Sequence, residues 1–338
     1  GPQLHLLNKT CVGCHSSSKD EYHYDLGGET VPIVFHTSGA PANDIGLAGG
    51  DFYWVANGGG EGGEVKDRYG HNVYGISPRD TTISDNYAKQ WSTECVTCHS
   101  DLSSASCTED GNMKGHPGGC QGCHLYPRHH HKDKDTETIK RGYRMLHSHA
   151  SPAPAATDDD NVKSDNYVIG YEDSDYEETS SKDDHNEYQG YYNWLSTEDV
   201  IGRLKTTHSI TDFCSGCHRT AEGDVYWDDS SSPPTLRRKT MFWSASLHLK
   251  HPADVRVYPS LDQTDYNPLV PVARNWDLTR RTSSTNYYTS YDLVMCLTCH
   301  RAHGSKYPHM LRWEYSEDKD QAKKSSTTGS CRFCHVDR

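Results

Sequence analysis

A chain of mostly irregular coil with short helices and very little sheet follows from three observations. Only 33% of the 338 residues are hydrophobic, with five Phe and five Met, so a conventional side-chain core is starved. Gly, Ser, Asp, Tyr and Pro abound while Ala, Leu and Glu periodicity is scarce, which argues against long helices and signals no extensive sheet. One short motif of two cysteines and a histidine recurs six times, which supplies an organising principle that composition lacks.

The clearest copy is Cys296-Leu297-Thr298-Cys299-His300. Two thiols three positions apart, with a histidine directly behind the second, form the C-x-x-C-H signature of covalent c-type haem attachment. The spacing has a mechanical reason: both cysteines must reach the vinyl groups on one porphyrin edge while the adjoining imidazole ligates the iron. The other copies are Cys11-Cys14-His15, Cys95-Cys98-His99, Cys120-Cys123-His124, Cys214-Cys217-His218 and Cys331-Cys334-His335. Structural zinc is the bland alternative for paired thiols. Zinc places no demand on the residue after the second cysteine, and neither does a disulfide framework, so both leave six histidines unexplained. The expected cofactors are therefore six c-type haems. They would provide large flat apolar bodies against which 22 Tyr and seven Trp can pack.

Each iron needs a second axial ligand, and 22 histidines, six of them in motifs, leave sixteen to choose from. In chain order, His5 lies just upstream of the first motif; it is either a solvated terminal residue or a ligand donated to another copy. His36 sits behind the apolar run Val31-Pro32-Ile33-Val34-Phe35, and His71 follows Tyr69-Gly70 on a tight turn. Both are expected to face inward, as satisfied core histidines or as distal ligands, with ligation favoured. Two glycine-rich stretches between them, 49–54 and 58–63, mark loops where backbone can approach a porphyrin face; no Lys-Ser/Thr follows to complete a phosphate loop.

The second and third motifs begin only 25 residues apart, with the unpaired Cys107 between them, most simply a buried or free thiol. His116 is a lower-ranked ligand candidate. The run His129-His130-His131 reads either as a solvated basic patch or as a source of one ligand, His131 first and His130 second. His147 and His149 follow a short helix-like segment, Tyr143 to Leu146, and one of them is a candidate distal ligand, His149 favoured. After Ser151-Pro152-Ala153-Pro154 the chain is strongly acidic to about residue 192, which reads as a linker or surface insert. Its carboxylates would suit calcium as an additional cofactor, although no twelve-residue calcium-loop spacing is present.

The second half repeats the rhythm of the first. Motif starts at 11, 95 and 120 are spaced 84 then 25; those at 214, 296 and 331 are spaced 82 then 35. The organisation expected is a three-haem half over 1–150, the acidic segment over 151–192 and a second three-haem half over 193–338, the halves forming one continuous haem-cored unit. His208 precedes the fourth motif as a lower-ranked ligand. His251, ended by Pro252, and His303, three residues past the fifth motif, are the favoured ligands of this half; His303 is placed to reach a neighbouring haem.

A formal charge of −13, made more negative by haem propionates, argues against nucleic acid or an anionic membrane surface as partner. No apolar run is long enough to insert in a membrane. Haem of this type is attached outside the cytoplasm, so the chain is expected to be exported and to act extracellularly or at the cell surface. No signal peptide precedes Gly1, and the chain reads as mature; a Gly-Pro start equally fits a tag-cleavage scar.

Several stretches resemble the extracellular multihaem c-type cytochromes of metal-reducing bacteria, specifically the hexahaem OmcS-type cytochrome nanowire family. They are Gly49 to Val55, Gly70-His71-Asn72, Lys250-His251-Pro252, the run Cys296 to His303, and a short tail after the last motif. The resemblance implies bis-histidine ligation of every haem, haems stacked in alternating parallel and T-shaped pairs, and a homopolymer whose subunits share one axial ligand across the joint. The close second and third motifs followed by an acidic insert depart from that pattern.

Function follows from coordination. An iron with two histidine ligands passes electrons and has no open position for substrate. The expected role is long-range electron transfer, without enzymatic activity, between outer-membrane or periplasmic redox proteins and extracellular acceptors. A non-polymerising shuttle is the alternative. A multihaem reductase would need one five-coordinate iron, often marked by C-x-x-C-K, which does not occur in this sequence.

Overall fold

The computed structural model describes residues 11–42, 47–59, 66–80, 102–103, 118–124, 140–141, 143–146, 168–171, 185–190, 209–215, 225–228, 235–238, 253, 255–257, 265–275, 287–289 and 292–314. Within them the backbone is coil punctuated by very short elements. The longest described helix is Ile210–Ser215, six residues; Cys11–Cys14 and Cys296–Cys299 are single turns at haem motifs. A helix this short has too few internal hydrogen bonds to stand alone. It persists only where tertiary contacts hold it.

Strands are equally short. β1 (Ser16–Ser17) pairs in parallel with β4 (Phe35–His36), and β2 (His23–Leu26) forms a hairpin with β3 (Glu29–Pro32). One sheet goes beyond what the composition signals. It orders β10 (Val255–Arg256), β12 (Leu293–Val294), β11 (Ala273–Asn275), β7 (Glu187–Gly190), β6 (Ile169–Tyr171) and β5 (Lys140–Arg141), with β7 and β11 parallel and the other pairs antiparallel. A separate hairpin joins β8 (Val225–Asp228) to β9 (Thr235–Arg238). Strands of two to four residues carry no alternation long enough to recognise in a sequence.

Two strands of that sheet, β6 and β7, come from residues 151–192, the stretch expected to be a linker or surface insert. The acidic runs themselves lie outside the described residues, but the segments between them are interior: Val168 and Tyr188 are fully buried, and Glu187 is 1% exposed beside Arg274 at 3.9 Å. Apolar and aromatic residues inside an acidic stretch outweigh its average charge.

Side-chain cores are small. Tyr143, Leu146, Val168, Tyr188, Ile210, Ala273, Leu293, Met295 and Leu297 form the largest, and Cys214 and Ala302 pack against it. The fourth and fifth motifs thus share one apolar centre. A second cluster joins Val257, Tyr266, Val272, Tyr288 and Val294. Phe52, Val55 and Val73 make a third, beneath Cys120.

The beginning and end of the described chain are locked together at a glycine crossing. Gly304 bridges both Gly50 and Gly70. Asp51 N–H donates to Gly304 O at 3.0 Å, and Ser305 N–H donates to Tyr69 O at 2.9 Å. A Cβ on Gly304, whose φ is +148°, would stand 2.6 Å from Tyr69 O and 2.7 Å from Asp51 O. Only glycine lets three backbones approach so closely. Two buried arginines add polar ties: Arg301 Nη1 donates to Leu47 O at 2.6 Å, and Arg312 donates to Leu297 O at 2.6 Å and Ala48 O at 3.2 Å. The substitution Gly304→Ala therefore costs about 3 kcal/mol through overpacking against backbone that cannot yield. Gly39→Ala, where a Cβ meets nothing within 4 Å, serves as the control. Thermal unfolding should show a lower midpoint for the first and not for the second; equal midpoints would contradict the crossing.

Candidate haem centres

The three motifs described in full share one backbone turn. His15 N–H donates to Cys11 O at 2.9 Å, His124 N–H to Cys120 O at 2.8 Å and His300 N–H to Cys296 O at 3.0 Å. The first cysteine and the histidine therefore stand one turn apart. At the fifth motif the turn is further fixed by Thr298, whose Oγ1 accepts from Met295 N–H at 3.0 Å and donates to Pro271 O at 2.6 Å. The cysteines of these three motifs, and Cys214 of the fourth, form no disulfide. Among the described residues no three His, Cys, Asp or Glu side chains are grouped to hold a metal ion unaided.

The imidazoles are oriented by a repeated device. His15 Nδ1 lies 2.8 Å from Pro32 O, His124 Nδ1 2.7 Å from Arg144 O, and His300 Nδ1 2.8 Å from His309 O. A carbonyl only accepts, so each Nδ1 carries the proton and each Nε2 keeps a lone pair. In every case the residue two further on pairs with the motif backbone: Val34 N–H donates to His15 O, Leu146 bridges His124, and Leu311 bridges His300. The three cradles read Pro32-Ile33-Val34, Arg144-Met145-Leu146 and His309-Met310-Leu311.

Arg144 (φ 50°) and His309 (φ 64°) adopt left-handed backbone to aim those carbonyls. Such a conformation costs a non-glycine residue about 1–2 kcal/mol, comparable to one hydrogen bond. Pairing on both flanks maintains it: Val168 N–H donates to Leu146 O at 3.0 Å, Arg301 N–H to Met310 O and Arg312 N–H to Cys299 O, both at 2.8 Å.

Three of the predicted distal ligands fall within the described residues. His36 is 3% exposed; its Nδ1 meets Asp51 Oδ2 at 2.5 Å while its Nε2 is buried without a hydrogen-bond partner. The Asp51 hydrogen bond raises its pKa against the opposing effect of burial. His71 Nδ1 contacts Ala302 O at 2.6 Å, so the N-terminal loop and the run after the fifth motif meet at this ring. His303 is stacked on Phe52 at 4.7 Å and lies 6.1 Å, centre to centre, from His124. Burial pushes its pKa down to about 3, with His124 adding to the effect, and burial also lowers His15 and His124. Burial thus favours the neutral form of His303, His15 and His124, the form that metal ligation requires.

His131, His147, His149 and His251, and the lower-ranked His5, His116, His130 and His208, lie outside the described residues, as do Cys95, Cys98, His99, Cys217, His218, Cys331, Cys334 and His335. Three structural features are not visible in the sequence. His185, 4% exposed, directs Nδ1 to Asn186 O at 2.9 Å and stacks on Tyr266 at 4.4 Å; the acidic stretch around it hides it. Asp51 reads as loop, and the cradles leave only the faint recurrence of Met-Leu. The first and third motifs also meet. Cys120 donates a hydrogen bond to Cys11, holding the Cys11 thiol down at about 6 and raising that of Cys120.

These residues fit c-type haem. Thiols outside any disulfide stand one turn from imidazoles whose Nδ1 is held by a carbonyl, and the buried Nε2 of His36 makes no well-formed hydrogen bond among the described residues. A family model for the doubled CXXCH motif matches residues 292–338, which hold the fifth and sixth motifs. No curated protein matches the chain. It is similar to the outer membrane cytochrome S filament from Geobacter sulfurreducens at 15% identity and a TM-score of 0.44, over 90% of this chain and 74% of that one. The motifs define a chain that binds c-type haem at several sites. No helix among the described residues is long and apolar enough to cross a membrane.

Because His303 is held well below its ordinary value of 6.5, the unfolded chain binds a proton there first on acidification. Stability should fall as pH drops from about 6.5 toward about 3. In the haem-free chain, where His303 is not held by a metal, His303→Asn should make that fall shallower in pH-dependent denaturant titrations; identical slopes would count against a buried neutral ring.

Proposed function

We propose that this chain carries electrons through six covalently attached c-type haems, each iron held between two imidazoles, and that copies of it join into a filament outside the cell. The observation that carries the electron-transfer reading is His36. It lies outside every motif in the sequence, with Nδ1–H on a carboxylate and a buried Nε2 that makes no well-formed hydrogen bond among the described residues, the backbone of Glu21 also acting on the ring. A buried nitrogen of that kind is costly unless it meets a ligand, and an iron closed on both sides has no position for substrate.

The protein's own residues have distinct roles in this reading. The twelve motif cysteines, Cys11 to Cys334, hold the groups covalently, and the six motif histidines, His15, His99, His124, His218, His300 and His335, supply the proximal nitrogens. His36, His71, His131, His149, His251 and His303 supply the distal ones. Bound haem supplies one-electron exchange at the iron. Carbonyls of Pro32, Arg144 and His309 hold imidazole orientation, and Asp51 strengthens His36 as an electron donor to its metal, which favours the oxidised state. The small apolar clusters exclude water around the motifs.

The halves 1–150 and 193–338 act as one unit, a reading supported by the glycine crossing at Gly304. The filament reading is supported by the stretches that resemble the nanowire cytochromes. Outer-membrane or periplasmic redox proteins would supply electrons, and extracellular acceptors would remove them. Two readouts on holoprotein test the proposal. The ferric spectrum should be wholly low-spin and unchanged by cyanide, and negative-stain microscopy of secreted material should show uniform filaments. A high-spin, cyanide-binding haem would indicate a reductase; single particles at high concentration would indicate a shuttle.

A further inference from the structure

We infer that His303, three residues beyond the fifth motif, is the second axial ligand of the iron held by the third motif through His124. The assignment rests on the reading that the motifs carry haem, and goes further by joining a particular pair of histidines. The two ring centres lie 6.1 Å apart. Two imidazoles on opposite sides of one metal, each bonded at about 2 Å, place their centres about 6 Å apart. The separation leaves room for a metal between the two rings, whereas the stacked pairs His303–Phe52 and His185–Tyr266, at 4.7 and 4.4 Å, do not.

Both rings are built into position independently. His124 is fixed from below, with Nδ1–H on Arg144 O at 2.7 Å, so Nε2 is its ligating atom. His303 is fixed from the other side. Its backbone N–H donates to Gly49 O at 2.6 Å, its ring lies on Phe52, and a Cβ on Gly49 would come within 2.9 Å of its Nδ1. Gly304, next in sequence, is the crossing glycine. The backbone device that ties the ends of the described chain together is therefore also what delivers this ring.

The consequence concerns the path. The third haem, attached near residue 120, would be closed by a residue from beyond position 300, so it belongs to both halves. The first motif meets it as well, through Cys11 and Cys120. Contact order among haems then departs from chain order, with the third standing between the first and the fifth.

The test uses holoprotein with the haem count established by intact mass. His303→Ala in the full chain should turn one haem high-spin. The same substitution in a Cys120→Ala, Cys123→Ala background, which lacks the third haem, should add no high-spin signal to the five that remain. His303→Met, which preserves six-coordination, should give a methionine–iron charge-transfer band in the full chain and none in that background. A high-spin signal or methionine band in both backgrounds, or none in the full chain, overturns the assignment. A parent chain without covalent haem overturns instead the reading on which it rests. A density map of the holoprotein decides the same question directly, since His303 on any iron but that of the third motif refutes the pairing.

Discussion

The hydrogen bond from a motif histidine Nδ1–H to a backbone carbonyl is the interaction on which the rest of this structure depends. Each such bond is worth only about 1 kcal/mol net, so its importance is not in stability. It decides which nitrogen carries the proton and where the other points, and a ring free to turn about its side-chain torsion would offer a metal neither. His15, His124 and His300 reach the same arrangement through carbonyls of Pro32, Arg144 and His309, in three different local folds. Two of those acceptors sit in left-handed backbone, which shows how much local strain is tolerated to keep the carbonyl in line.

Around these bonds the chain has few other means of holding shape. Among the described residues, helices are mostly single turns, strands are two to four residues, and the apolar clusters are small and placed against motif residues. Backbone-to-backbone contact at glycines and buried arginine-to-carbonyl bonds replace bulky side chains. The crossing of Gly50, Gly70 and Gly304 is the clearest instance. It brings Asp51, His71 and His303 from distant stretches into one region.

How much is legible in the sequence depends on whether the constraint is local. Covalent attachment demands a fixed spacing of thiols and imidazole, so all six motifs can be read, and the short helices at Cys11, Ile210 and Cys296 follow from it. His36 and His71 stand out because an apolar run and a tight turn adjoin them. The cradles are not legible: their carbonyls act through backbone, which any residue provides, at offsets of 17, 20 and 9 from the histidines they hold. The six-stranded sheet escapes notice because its strands are shorter than any alternation pattern. His185 and the buried Val168 and Tyr188 are concealed because acidic neighbours dominate the average over residues 151–192.

Water-excluding clusters, carbonyl-fixed imidazoles and thiols at one-turn spacing make sense together only if large flat prosthetic groups complete the interior. Intact mass spectrometry of the native chain tests that claim most directly. The account predicts the polypeptide mass increased by six covalently retained haems after denaturation. A mass equal to that of the amino acids alone, or increased only by zinc that denaturation removes, would contradict it.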